Sequence, residues 1–197
     1  LERQPRSELE LSQLTEWTMR QAAQLRGAIE TTHLRNDGYD FLGLGYALER
    51  ADNTARLIDV KYYVLLPRID FVGSEFDNYQ WSTLLRALSA HRAFHWAYGG
   101  DVTPWKIADF LILNSKSPRS LNASVMAMAR HLDHLEAAYD RRTQAQEAGE
   151  KLRDALRNLA VEDIFEEGMH EFLTRFISQV GQIGGIFYAT YLSGETR

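Results

Sequence analysis

The chain has 197 residues, of which 45% are hydrophobic and 25% are charged. This balance is typical of a globular protein with a buried core and excludes a disordered chain. The formal net charge of −5 argues against nucleic acid or an anionic membrane as the main partner, and the absence of cysteine excludes disulfides and thiolate metal sites.

The first predicted helix begins at a capping box formed by Ser7 and Glu10 and ends near His33. Its apolar and small residues recur every three or four positions, as on one face of a helix. We expect this face to point inward, and it carries Leu11, Leu14, Thr18, Ala22, Leu25 and Ile29.

The second predicted helix follows a turn at residues 36–38 and extends from about residue 39 to Leu66, where Pro67 ends it. Its core-facing stripe consists of Phe41, Leu44, Leu48, Ala51, Ala55, Ile58 and Tyr62. One position along the helix lies a second, largely charged row, made of Gly45, Glu49, Asp52, Arg56, Asp59 and Tyr63. Because this row borders the buried stripe, we expect its charges to be partly removed from water and therefore to be paired or bound to a ligand.

The sequence after Pro67 predicts a loop over residues 67–76 and then a third helix. Asp77, with Gln80 three residues later, is a capping box for this helix, and Gly99-Gly100 ends it. Thr103-Pro104 begins a short fourth helix that runs through Leu113, since proline is well placed in a first helical turn.

The remaining sequence predicts three more helices. Ser117-Pro118 begins the first, whose apolar residues alternate four and three positions apart: Leu121, Val125, Met128, Leu132, Leu135 and Tyr139. A polar amphipathic segment follows near residues 147–159. The last helix begins near Glu162 and is apolar at Phe165, Met169, Phe172, Phe176, Val180, Ile183 and Phe187.

No segment has the alternating pattern of a strand, so we expect an all-α bundle of about seven helices without a sheet. We expect residues 1–197 to form a single domain. Because the chain begins with Leu1 rather than Met, we also expect it to be part of a longer protein.

The sequence predicts a cytoplasmic location without a membrane span. Its first residues have no apolar segment typical of a signal peptide. The longest apolar tract, residues 177–192, is short for a span and contains Gln179 and Gln182. The absence of cysteine fits a reducing compartment.

Four segments together resemble the alpha-E family, a bacterial all-helical family named for a Glu-Arg pair in a long helix. The main segment, residues 42–62, contains Glu49-Arg50, and the others are residues 77–86, 103–120 and 166–173. Family members usually carry a basic residue where this chain has Tyr46, and they commonly have an earlier copy of the Glu-Arg helix. This chain therefore resembles the second half of a typical family member.

The resemblance implies an association, because family members are encoded beside or fused to ATP-grasp-like ligases and transglutaminase-like proteins. We therefore expect an accessory or scaffold protein of an amide-ligating or peptide-modifying pathway, with those proteins as partners and no cofactor. The alternative is an enzyme or ligand-binding protein that uses Glu49 as a general acid or base. Arg50, Arg56 and Arg119 would then bind an anionic amino acid or peptide.

The charged row on the second helix supports two hypotheses. In one, Asp52, Arg56 and Asp59 form an ion-pair lattice, since they lie four and three residues apart. In the other, the row presents carboxylates and a guanidinium to a ligand, with Asp52 included among the binding groups. Glu49 and Arg50 point about 100° apart on the helix, so they serve different neighbours.

Two further segments are candidate binding elements. Residues 117–120, Ser-Pro-Arg-Ser, form either an anion site at a helix N-terminus or an ordinary helix cap beside a surface arginine, Arg119. Tyr79, Gln80 and Trp81 form either an aromatic platform for a ligand or part of the helix packing.

The histidines raise a second alternative, a metalloprotein with its site in the bundle core. His33 and His170 each follow a glutamate by three residues, and His91/His95 and His131/His134 share helix faces. Each group lacks an evident third and fourth ligand in the sequence, so we assign no metal-binding residues.

Overall fold

The computed structural model describes residues 11–63 and 75–193 of the chain. These residues contain no strand, so the predicted all-α class is confirmed. They form nine α-helices rather than about seven, and one π-helical turn. The helices are α1 (Leu11–Thr32), α2 (Asp37–Tyr63), α3 (Glu75–Ala87), α4 (His91–Tyr98), α5 (Pro104–Ala108), α6 (Leu121–Tyr139), α7 (Gln144–Arg157), α8 (Val161–Glu167) and α9 (Met169–Tyr191), and the π-helical turn is Asp109–Leu113.

The helix count exceeds the predicted one because two predicted helices are each interrupted. The third predicted helix is divided into α3 and α4 at Ser89, whose φ of 53° lies in the left-handed region. The last is divided into α8 and α9 at Gly168, whose φ of 102° is accessible to glycine at little cost. α3 comprises Glu75–Ala87, so Asp77 lies within the helix rather than before it, and its side chain is outside the described part of the structure.

The predicted start of the fourth helix is confirmed. Thr103 Oγ1 accepts a hydrogen bond from the backbone N–H of Lys106, and Pro104 is the first residue of α5. The predicted start of the next helix at Ser117-Pro118 is wrong. α6 begins at Leu121, and its cap is Ser120, whose Oγ accepts from the backbone N–H of Ala123 at 3.0 Å.

The chain divides into two compact units, residues 1–39 and 40–197. In the first unit α1 has no buried residue, and Leu11 and Leu25 are largely exposed, so the predicted inward-facing stripe of this helix is wrong. Tyr39 donates a hydrogen bond to Glu30, which also accepts from Arg35. The capping box at Ser7 and Glu10 lies outside the described residues.

The predicted stripes of α2, α6 and α9 supply much of the core of the second unit, which also contains buried residues of the intervening helices and of the π-helical turn. The core members on α2 are Leu44, Ala47, Ala51, Ala55 and Ile58. The predicted apolar residues of α6 from Leu121 to Leu135 are fully buried, and those of α9 from Met169 to Phe187 are buried. Phe41 on α2 contacts the rings of Phe187 and Tyr191 on α9, with centroids 5.5 and 5.7 Å away. The predicted helix end at Pro67 and the side chain of Tyr62 lie outside the described residues.

In the described part of the chain, no helix is both long enough and apolar enough to cross a membrane.

Candidate functional site

The charged row on α2 contains a bidentate ion pair. Arg56 donates from Nε to Asp52 Oδ2 at 2.7 Å and from Nη2 to Asp52 Oδ1 at 2.9 Å, one helical turn apart. The predicted pairing of Arg56 with Asp52 is therefore confirmed. The guanidinium remains 59% exposed and the carboxylate 31% exposed, so this pair lies at the surface.

Asp59 does not continue the row as part of an ion-pair lattice. Its Oδ1 lies 2.6 Å from Nδ1 of His170, which joins α2 to α9. This hydrogen bond, with the nearby carboxylate charges, raises the pKa of His170 above its ordinary value, although partial burial opposes the shift. The link crosses 111 positions of the chain, and spacing along one helix gives no signal for it.

Glu49 is exposed and therefore accessible to solvent. Its Oε1 accepts a hydrogen bond from Asn53 Nδ2 at 3.5 Å, one turn along the same helix. The expectation that the charged row is partly removed from water is wrong for Glu49 and Arg56, because both side chains lie on the solvent side of α2.

Arg50 has a different neighbour from Glu49, as predicted from the 100° between them. Its Nη1 donates to the backbone carbonyl of Pro118 at 3.3 Å, across 68 positions of the chain. A guanidinium can satisfy a carbonyl of an irregular segment without help from that segment's own backbone. Arg50 therefore fastens the segment before α6 to the middle of α2.

The segment held by Arg50, residues 114–120, is fixed by its own hydrogen bonds, and we call it the docking loop. Asn114 Oδ1 accepts from the backbone N–H groups of Lys116 and Ser117 at 2.9 and 3.0 Å. Ser120 Oγ donates to the carbonyl of Asn114 at 2.5 Å. Asn114, the first residue of the loop, thus binds both its middle and its last residue, and these bonds define the shape of the loop.

A tyrosine supports the docking loop from the side of α4. Asn114 Nδ2 donates to the Tyr98 hydroxyl at 3.3 Å, and that hydroxyl donates to Asp109 on the π-helical turn. Burial, together with the bond to Asp109 and its charge, raises the pKa of Tyr98 to about 12, although the bond from Asn114 opposes this. The tyrosine is therefore a neutral donor at physiological pH.

The two hydroxyl residues of the Ser-Pro-Arg-Ser segment are buried, and the arginine is exposed. Ser120 Oγ is engaged in the helix cap and in the bond to Asn114, while Arg119 points to solvent. Arg50 contacts the carbonyl of Pro118, which precedes Arg119 in the chain, whereas Glu49 bonds to Asn53 on its own helix. The geometry favours the ordinary cap over the anion site.

The aromatic segment on α3 does not present a common face. Tyr79 is 65% exposed, whereas Gln80 is 9% and Trp81 is 1% exposed. The Trp81 ring lies under the ammonium of Lys61, 4.2 Å from its centroid, and Lys61 is itself buried. Trp81 therefore belongs to the helix packing, where a cation–π contact compensates the buried charge.

An open cleft of about 610 Å³ lies between α6 and α7, away from the predicted site residues. It is lined by Asp133, Glu136, Ala137, Asp140, Arg141, Arg142 and Glu150. Arg142 pairs with Glu136 and Glu150 across the cleft, at 3.2 and 2.5 Å. Arg142 is thus shared between two carboxylates, and the lining has more acidic than basic side chains.

Sequence reasoning missed one cluster of potential metal ligands. Asp40 Oδ1 lies 2.8 Å from Nδ1 of His131 and 3.0 Å from Nδ1 of His134. The two histidines are visible in the sequence as a pair three residues apart, but the third group comes from another helix, 91 residues earlier. Among the described residues these three are the histidine and acidic side chains whose geometry suits a metal ion.

The other histidine patterns have ordinary partners in the described structure. His33 Nδ1 contacts the carbonyl of Leu34, and Glu167 binds Arg175 rather than joining His170. His91 and His95 face each other with their Nε2 atoms 3.2 Å apart.

The model of the Alpha-E family matches residues 2–192 and is described as a predicted alpha-helical domain with a conserved ER motif. The described residues are helical, and Glu49-Arg50 lies in the middle of their longest helix. No protein with a curated description and no solved structure matches the chain. Because the match covers nearly the whole sequence, the chain belongs to the Alpha-E family.

Proposed function

We propose that this chain is a helical accessory or scaffold protein of an ATP-grasp-linked amide-ligating or peptide-modifying pathway. The observation that carries the scaffold role is the bond from Arg50 to the carbonyl of Pro118. In this proposal the arginine of the Glu-Arg pair holds a loop rather than a substrate. The pathway assignment rests on the resemblance of the Glu-Arg helix to proteins associated with ATP-grasp-like ligases.

The docking loop is the partner-binding element in this proposal. Its exposed residues include Lys116, Pro118 and Arg119, which give it two positive charges and an apolar ring on a surface of fixed shape. A rigid loop loses little conformational entropy on binding, so more of the contact energy remains as affinity. The two cations favour an acidic surface on the ligase or on the transglutaminase-like protein.

The test is complex formation between this protein and each of the two partners, measured by size-exclusion chromatography with light scattering. Arg50→Met removes the bond to the loop and is expected to weaken the complex. Arg130→Met is the matched control, because Arg130 is an exposed arginine on α6 away from the loop. If neither partner binds the wild-type protein, the proposal fails.

The same experiment separates the scaffold from the enzyme alternative, in which Glu49 acts on an amino-acid or peptide substrate. That alternative is favoured by the solvent-accessible carboxylate of Glu49. The scaffold proposal expects Glu49→Gln to leave both the complex and the product yield of the reconstituted pathway unchanged. Loss of product with an intact complex would assign a catalytic role to Glu49 instead.

A further inference from the structure

We propose that Asp40, His131 and His134 bind a zinc ion that joins α2 to α6. The site consists of one carboxylate and two imidazoles, and their ligand atoms all lie within 4.8 Å of one another. This inference does not depend on the proposed scaffold function. It concerns the beginning of α2, whereas the Arg50 contact lies in the middle of that helix.

The positions of the three side chains follow from the two helices. His131 and His134 lie three residues apart on α6, so both imidazoles point to the same side of that helix. Asp40 stands near the beginning of α2 and brings its Oδ1 between them. Both histidines direct Nδ1 toward the same oxygen, so the three potential ligand atoms form one cluster.

The distances are close to those of a loaded site. Zinc binds imidazole nitrogen and carboxylate oxygen at about 2.0–2.1 Å, so two tetrahedral ligand atoms lie about 3.3 Å apart. The present nitrogen–oxygen distances are 2.8 and 3.0 Å. Each nitrogen–oxygen pair therefore needs to separate by only a few tenths of an ångström, and each imidazole that binds through Nδ1 carries its proton on Nε2 instead.

Burial supports a cation at this point. Asp40 is 7% exposed and His131 is 5% exposed, so a carboxylate is held largely out of water beside an imidazole. Coordination to a divalent cation would compensate the burial of this carboxylate more fully than hydrogen bonds from two imidazole rings. The His134 side chain is 56% exposed, which gives the ion a route from solvent and leaves water as a fourth ligand.

The backbone is also adapted to the site. A Cβ atom at position 43 would lie 2.4 Å from Cε1 and Nε2 of His131, so the imidazole fits only against a glycine. Glycine at this point costs helix stability, and the packing of the ring accounts for it. The nitrogen and carboxylate ligands favour zinc over calcium or magnesium, which prefer oxygen alone.

The test is zinc binding to the full chain, measured by isothermal titration calorimetry and by the visible spectrum of the Co²⁺-loaded protein. The wild type is expected to bind one Zn²⁺, to show the intense bands of four-coordinate Co²⁺ and to melt at a higher temperature with zinc. His134→Gln should weaken binding by at least about 100-fold, since changes outside the ligand set already cost up to that much. This variant is a suitable test because the His134 side chain is largely exposed, so its replacement should leave the fold intact.

Asp40→Asn tests the ligand on the other helix and is expected to lose the four-coordinate Co²⁺ spectrum. His95→Gln is the matched control, because it removes a histidine that faces another histidine elsewhere on the surface. The proposal is overturned if the wild type binds no Zn²⁺, if His134→Gln binds as well as the wild type, or if His95→Gln abolishes binding. The three residues would then form only a hydrogen-bonded cluster.

Discussion

His170 and Asp59 form a hydrogen bond of 2.6 Å that joins the beginning of α9 to the later turns of α2. The imidazole side chain is 39% exposed and the carboxylate 24% exposed, so the link lies at the edge of the helix interface. Because the pKa of His170 is raised, its cation is favoured in the folded protein. The link therefore contributes a pH dependence to folding.

His170→Asn retains a neutral donor but cannot be protonated. A histidine with a raised pKa contributes stability in full below its ordinary value of 6.5, and this contribution is lost as the pH rises through the raised value. We expect the wild type to lose stability relative to the variant over that window. Urea denaturation of both proteins at pH 6 and pH 8 measures the difference, and equal differences at the two pH values would refute the role of this pair.

Tyr98 should lose its proton at a higher pH than an ordinary tyrosine. Its pKa of about 12 lies above the ordinary value of 10, so stability should fall as the pH rises from 10 through 12. When tyrosinate absorbance is recorded directly after pH jumps to increasing final pH, the wild type is expected to show a component that titrates near pH 12. This component should be missing from Tyr98→Phe. If the variant instead loses amplitude near pH 10, the hydroxyl is not held by Asp109 in solution.

Two glycines on α2 should respond to alanine in opposite directions. At Gly43 the new methyl group would meet the His131 ring, so Gly43→Ala is expected to destabilise the protein. At Gly45 nothing lies within 4 Å, so Gly45→Ala should stabilise it by about 0.5–1 kcal/mol through helix propensity. Urea midpoints of the two variants provide the comparison, and a stabilised Gly43→Ala protein would contradict the observed packing.

Arg56→Met should have only a small effect on the melting temperature. The sequence predicts that Arg56 lies at the border of the core, where its ion pair would contribute substantially to stability. In the structure, however, the Arg56 side chain is 59% exposed. Exposed ion pairs are weak and are screened by salt. The small difference from the wild type should shrink further in 1 M NaCl, and Arg56→Lys serves as the charge-conserving control. A large decrease in both salt conditions would show that the arginine acts through packing.

The features that could be predicted from the sequence are local ones. Thr103 caps α5 by accepting a hydrogen bond from a backbone N–H three residues later, and Arg56 pairs with Asp52 four residues away. The apolar stripe of α2 was also predictable, because a helical period places Leu44, Ala51 and Ile58 on one side.

The features that escaped prediction depend on tertiary structure. The break after α3 occurs at Ser89, in a segment with neither glycine nor proline, where tertiary packing overrides the local signal. Gly168, by contrast, is a residue type that favours a helix break. The apolar stripe of the last predicted helix continues past it, however, and therefore predicted one uninterrupted helix. The partners of Asp59, Arg50 and Asp40 lie 111, 68 and 91 or more residues away, and no spacing rule connects positions on different helices.

The apolar face of α2 is repetitive, since alanine recurs at positions 47, 51 and 55. Sliding the helix by four residues, about 6 Å along its axis, would replace Ala47 and Ala51 with other alanines but would bring Asp59 to the buried site of Ala55. The polar contacts of Asp40 and Arg50 do not repeat in this way, and such a slide would break both. These contacts, together with the Asp59–His170 hydrogen bond and the Lys61–Trp81 contact, therefore hold α2 in one axial register.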